Sequence, residues 1–150
     1  MVHALKEIWR VLVPRGWLLD VRPLAANAPL DVVAGDQVRL AGRVDETAGL
    51  PDDHASNKAL RTTVREGWFV REHQAHFDYA WYWDTLDELH THIAEKWSNS
   101  MQLPAAVGAE AARLLVANGT RARVRLRLTV TMARYRKSLS GQLVSDEQSM

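Results

Sequence analysis

The sequence has no cysteine. Disulfides, cysteine-ligated zinc, iron–sulfur clusters and thiol catalysis are excluded with it. Glycine is scarce and scattered: the eight stand at positions 16, 35, 42, 49, 67, 108, 119 and 141, and no two have G-x-G spacing. Neither a dinucleotide fingerprint nor a P-loop can be built from them. An excess of one charge is also lacking, since 19 Lys and Arg against 18 Asp and Glu leave +1. That is not the footprint of a strongly basic nucleic-acid protein. No apolar run approaches the roughly 20 residues of a membrane helix. The first residues, Met1 to Glu7, lack the layout of a secretory signal, so a cytoplasmic location is expected.

What is present suits one folded domain: 150 residues, 47% hydrophobic and 25% charged. Leu5, Ile8, Trp9 and Leu12 recur at helical spacing, and Pro14-Arg15-Gly16 ends that helix. The apolar run Trp17–Val21 predicts a buried strand. A hairpin is expected over 30–46, turning at Gly35-Asp36, then a loop to Asp53 and a helix from His54 to Glu66. Phe69–Trp83 alternates as one long strand, with Phe77, Tyr79 and Trp81 expected in the core. Asp84 is the expected cap of a helix carrying Leu86, Leu89, Ile93 and Trp97. Pro104 opens another, with Val107, Ala111, Leu114 and Leu115 inward. A final strand runs from Ala122 to Tyr135, with Val124, Leu126, Leu128, Val130 and Met132 on one face and arginines on the other. Residues 138–150 are polar and aperiodic and are expected to be a disordered tail.

The chemistry-bearing residues are dispersed. His73 and His76 point to opposite strand faces, and His90 and His92 lie roughly 200° apart around a helix, so no local metal site is expected. There is no G-x-S-x-G elbow, and no catalytic residue is assigned. Glu72, His76 and Asp78 share a strand face, which a solvated polar face explains. Arg121, Arg123, Arg125 and Arg127, with Arg134, Arg136 and Lys137, form the dense positive stretch. Without an RNA-binding motif beside it, an exposed strand protected by charge is the simpler reading than a nucleic-acid surface. Tyr82 and Trp83, at the end of the aromatic strand, are the candidates to line a substrate pocket.

One segment carries a resemblance. Ala4-Leu5-x-Glu7-Ile8-x-Arg10-Val11-Leu12-x-Pro14-x-Gly16-Trp17-Leu18-Leu19 resembles the helix and fifth strand of class I S-adenosylmethionine-dependent methyltransferases, with Arg15 where that family usually has a first glycine. The resemblance implies an α/β fold. It would be a partial Rossmann-like sheet of strands like the family's fifth, sixth (69–83) and antiparallel seventh (122–135), over residues 1–137. Flanking helices and a hairpin insertion at about 30–66 would complete it. It also implies methyl transfer to a small molecule. The family's cofactor loop, the acid that takes the cofactor ribose and the adenine-flanking residues match no position here. S-adenosylmethionine is therefore not expected to bind this chain alone. A truncated, inactive half would leave the fifth strand's outer edge unpaired. It would then associate with a second copy or with a chain supplying the other half. The alternative is a non-enzymatic dimeric α+β module that binds a ligand or a protein.

Overall fold

The computed structural model describes residues 1–139; the expected tail lies, from residue 140, outside them. Helix α1 (Val2–Val11) leads to β1 (Trp17–Pro23), then to the hairpin β2 (Pro29–Ala34) and β3 (Gln37–Arg43). A 3₁₀ turn (Thr47–Gly49) opens α2 (Leu50–Arg65), which is followed by β4 (Phe69–Trp83). Then come α3 (Leu86–His92), a π-helical turn (Ile93–Trp97), α4 (Ala105–Asn118) and β5 (Arg123–Lys137).

The five strands form one sheet in the order β1-β5-β2-β3, with β4 also on β5. The α/β character expected from the sequence is present. The mostly parallel order of a Rossmann-like sheet is not found among the described strands, because each pairing reverses direction. A two-residue turn joins β2 to β3, and Leu30–Val33 of β2 run antiparallel to Arg123–Leu126 of β5. Against β1, β5 places Lys137 on Gly16 and Thr129 on Leu24. Against β4 it places Ser138 on Trp68 at one end and Arg123 on Asp84 at the other.

The chain divides into two compact units, which β4 and β5 both enter. The first holds Met1–Arg22, Asp52–His76 and the chain from Thr131. Its core is the inner face of α1 and α2 against the sheet: Leu5, Ala59, Leu60, Phe69, Ala133 and Tyr135, with Ile8, Trp9 and Leu12 packed around them. The Lys137 ammonium donates to the Leu12 carbonyl at 2.7 Å and sits 4.5 Å from the Trp9 ring centroid, so a cation caps the negative end of α1. At the turn after α1, Arg15 takes a left-handed φ of 60°. Gly16 donates to the Val13 carbonyl at 2.8 Å, and a Cβ at 16 would come equally close to that oxygen.

Beyond this turn β1 alternates, but its outward positions are apolar: Trp17, Leu19 and Val21 are 54%, 60% and 54% exposed. The uniformly buried strand expected here is replaced by one covered on a single face. β5 departs from expectation in the same unit. Met132 is exposed while Thr131, Ala133 and Tyr135 are buried, because this end of the strand packs its odd-numbered side chains on the helices.

The Arg134 and Arg136 guanidinium groups lie 5.0 and 5.5 Å from the Trp17 ring, and Glu72 pairs with both, 3.0 Å from Arg134. The hydrogen bond from Arg136 holds the Glu72 carboxyl below its ordinary 4.5, against the smaller opposing effect of burial. Because the folded value is depressed, the unfolded chain takes up the proton first. The stabilisation is therefore full above pH 4.5 and is lost as pH falls through the lowered value. Glu72→Gln is expected to lower the urea midpoint at neutral pH, and to lower it by less at an acidic pH below 4.5, where the parent carboxyl begins to take up its proton. An equal deficit at both pH values would refute the ionic role.

The second unit holds Pro23–Pro51 and Phe77–Val130. Its core joins Leu30 and Val32 of β2, Val124, Leu126 and Leu128 of β5, Leu89 of α3, and Ala111 and Leu114 of α4. The hairpin turns at Gly35-Asp36 as expected, with Ala34 opposite Gln37 and Gly35 at φ 57°. The helix cap is one residue later than expected. Thr85, not Asp84, accepts from the Glu88 N–H at 3.2 Å, and the Glu88 carboxylate reaches back to the Asp84 N–H at 2.9 Å. This is a capping-box-like arrangement, with the glutamate accepting from the residue before the cap rather than from the cap itself. The buried Glu46 carboxylate accepts from the Ala28 N–H at 2.8 Å and the Ala26 N–H at 3.2 Å, pinning the entry to β2.

Candidate functional site

The candidate site lies in the second unit, where β4 ends beside the start of β5. Tyr82 and Trp83 are successive strand residues, so their side chains go to opposite faces. Trp83 is 7% exposed and belongs to the core. It stacks on Trp81 at 6.2 Å with a 15° angle between rings, and meets Trp97 edge-on at 6.1 Å. His92 closes the group, with its ring 4.4 Å from Trp97, 5.1 Å from Trp81 and 5.4 Å from Trp83. The π-helical turn helps bring this about. It widens the helix directly after His92 and so re-aims Trp97 toward the strand.

Phe77, Tyr79 and Trp81, expected in the core, are 45%, 49% and 36% exposed. The helical cover of this face reaches only the end of β4, where Trp83 sits. Tyr79 leans edge-on against Trp81 at 5.8 Å, and the strand presents an aromatic surface that ends in a buried tryptophan.

Tyr82 is half-exposed and faces charge. The Arg123 guanidinium sits 5.5 Å from its ring, and the Arg125 charge acts on its hydroxyl. Beside it, β2 supplies Asp31, which is 1% exposed although it is ionisable. The Asp31 carboxylate accepts from Arg125 at 2.8 Å and from Arg127 at 2.7 Å. Burial opposes the charge on Arg125, but its hydrogen bonds to Asp31, together with Tyr82, outweigh that and raise its pKa. Arg123 pairs with Asp84 at 2.6 Å, and Thr129 donates to Asp78 at 3.3 Å. The arginine face of β5 is thus paired with acids along this unit, Asp31 serving two of its three arginines, which lowers its net field toward a polyanion.

Asp31 escaped the sequence reading, although a signal exists: a carboxylate set inside the apolar run Leu30-Asp31-Val32-Val33 must find cations or stay out of the sheet. The sequence sets Trp97 on a helix stripe and His92 outside it, and the π turn brings both onto Trp83. Chemically, the region offers stacking surfaces and a phenol beside two guanidinium groups. No nucleophile–base pair appears among the described contacts, and no group of three or more acids and histidines among the described residues could hold a metal. No helix among the described residues is long and apolar enough to cross a membrane. Comparison with protein-family models, with curated proteins and with solved structures finds no match to this chain.

Proposed function

We propose that this chain is part of a class I S-adenosylmethionine-dependent methyltransferase that acts on a small molecule. It would supply the sheet edge and substrate-facing side, while a segment or chain packed on β1 binds the cofactor. The turn at Pro14–Gly16 carries this reading. The family has glycine where Arg15 stands, and Arg15 is held at the left-handed φ of 60° that glycine adopts at least cost. Gly16 beside it has no room for a side chain. The motif letters are thus matched by the backbone they would serve. The place of β1 at the sheet's edge, with an open apolar face, supports it further.

The chain's own residues do not fit the cofactor. β1 leads to the hairpin, β3 to the 3₁₀ turn and α2, and β4 through Asp84-Thr85 to α3. None of these connections carries the G-x-G cradle that would let backbone approach the cofactor. No step of methyl transfer is therefore assigned to a residue here. The reaction would rest on positioning the acceptor, and the exposed aromatic surface of Phe77, Tyr79 and Trp81 is suited to hold an apolar one.

The test is calorimetric titration with S-adenosylhomocysteine. The chain alone is expected to show no binding, and coexpression with the polypeptide encoded immediately upstream of Met1 to create a micromolar site. Binding by the chain alone, or none in the coexpressed complex, would overturn the proposal. A second reading, a homodimeric binding module without cofactor, is favoured by the open Trp17, Leu19 and Val21 face. A stable homodimer indifferent to the upstream polypeptide and to S-adenosylhomocysteine would select it.

A further inference from the structure

The last turns of α2 carry two i, i+4 pairs side by side, Leu60 with Val64 and Arg61 with Arg65. β4 adds Val70 and Arg71, and β5 adds Tyr135. Between them lies a cavity of about 450 Å³ within the first unit, a size that takes small organic ligands. Its lining is mixed in character: Leu60, Val64 and Val70 supply apolar surface, while the guanidinium-bearing side chains and the Tyr135 phenol supply donors.

The arginines here differ from eight of the other twelve, whereas Arg15, Arg39, Arg43 and Arg121 likewise hold no carboxylate among the described contacts. Arg10, Arg22, Arg113, Arg123, Arg125, Arg127, Arg134 and Arg136 each hold a carboxylate. Among the described residues, no carboxylate pairs with Arg61 or Arg65, and Arg71 spends one donor on the neutral Gln74 amide at 2.9 Å. The Arg71 charge also acts on the Tyr135 phenol. Burial, and then the charge of Asp20, push the Tyr135 phenol above its ordinary value, so it stays a protonated donor at neutral pH. A simple solvated helix face would account for Arg61 and Arg65. It would not place them around an apolar hollow with a third arginine and a buried phenol from two strands.

We infer that this cavity binds an anion with an apolar body: a phosphate monoester or carboxylate gripped by Arg61, Arg65 and Arg71, with its ring or short chain against Leu60, Val64 and Val70. Guanidinium groups suit this because each can donate two parallel hydrogen bonds to such an anion.

The experiment is a calorimetric titration of the full chain with phenyl phosphate, benzoate, inorganic phosphate and benzyl alcohol. At least one aromatic anion is expected to bind about tenfold or more tighter than both inorganic phosphate and benzyl alcohol. Preference for phenyl phosphate assigns a phosphoryl ligand, and preference for benzoate a carboxylate. The double variant Arg61→Gln/Arg65→Gln is expected to weaken that binding about tenfold or more, with no change in melting temperature. Arg61→Lys/Arg65→Lys should fall between, since charge survives but the planar fork does not. Equal affinity for aromatic and inorganic anions, no binding at about 10 mM ligand, or affinity unmoved in the glutamine variant would overturn the inference.

Discussion

Asp31→Ala is expected to lower the unfolding free energy by about 3 kcal/mol and the melting temperature by about 6–12 °C. Asp31 sits between two fully buried core residues, Leu30 and Val32, and is itself 1% exposed. Its carboxylate is the shared acceptor of Arg125 and Arg127. Removing one side of a buried ion pair costs about 3–5 kcal/mol, mostly because the remaining charges lose their partner without regaining water. The lower end applies here. The Arg127 side chain is 40% exposed and can rehydrate, whereas Arg125, at 19%, is held in place. By contrast, the Arg10–Glu7 pair on α1 is 67% and 47% exposed, so solvent screens it and breaking it should cost far less. The control is a triple variant, Asp31→Val with Arg125→Leu and Arg127→Leu. It removes all three charges together and should recover most of the loss. Urea unfolding of the parent and both variants decides. A loss below about 1 kcal/mol for Asp31→Ala would mean that both arginines rehydrate and that the trio is a surface feature.

The sequence showed this network only in part, and the reason is general to sheets. The alternation of Arg123, Arg125 and Arg127 with Val124, Leu126 and Leu128 correctly separated charged from apolar positions over this half of β5. Alternation identifies two faces, but not what lies against either, since that depends on elements distant in sequence. Asp31 is 94 residues from Arg125. The same gap explains Phe77, Tyr79 and Trp81, whose spacing set them on one face without revealing that the helices cover only its end. It explains Met132 as well, where β5 exchanges the buried face. Local features were read more accurately. The amphipathic α1, the Gly35-Asp36 turn and the start of α4, which Pro104 precedes as the cap rather than opening as the first helical residue, depend on neighbours within a few residues. The shift of the cap from Asp84 to Thr85 is the scale of error expected when two good capping residues are adjacent. Of the candidate site, Tyr82 and Trp83 were visible as the end of an aromatic strand. Their separation onto two faces follows from the strand period itself, and their partners do not.

Gly42→Ala is the second large effect expected, a loss of about 2–4 kcal/mol assembled from two independent strains. The β2–β3 register slips between Leu30, opposite Gly42, and Asp31, opposite Leu40, so Ala41 is the extra residue of a bulge. The bulge puts Gly42 at φ 154°, a conformation that L-residues rarely adopt. It also presses the strand backbone against α4. A Cβ at position 42 would lie 2.6 Å from Val107 Cγ2 and 3.1 Å from its Cγ1. Val107 is β-branched, with one strongly preferred rotamer in a helix, so it cannot swing clear and α4 itself would have to move. Gly35→Ala separates the two strains. Gly35 has a positive φ of 57° but nothing within 4 Å of a new Cβ, so only the backbone cost of about 1 kcal/mol applies. Adding Val107→Ala to Gly42→Ala should return the steric share and leave the backbone share. If Gly42→Ala proved no costlier than Gly35→Ala, the close approach of β3 to α4 would not be a constraint on the fold. The predicted difference is instead what docks α4 on the hairpin, and through Ala111 and Leu114 it holds one wall of the core in which Trp83 is buried.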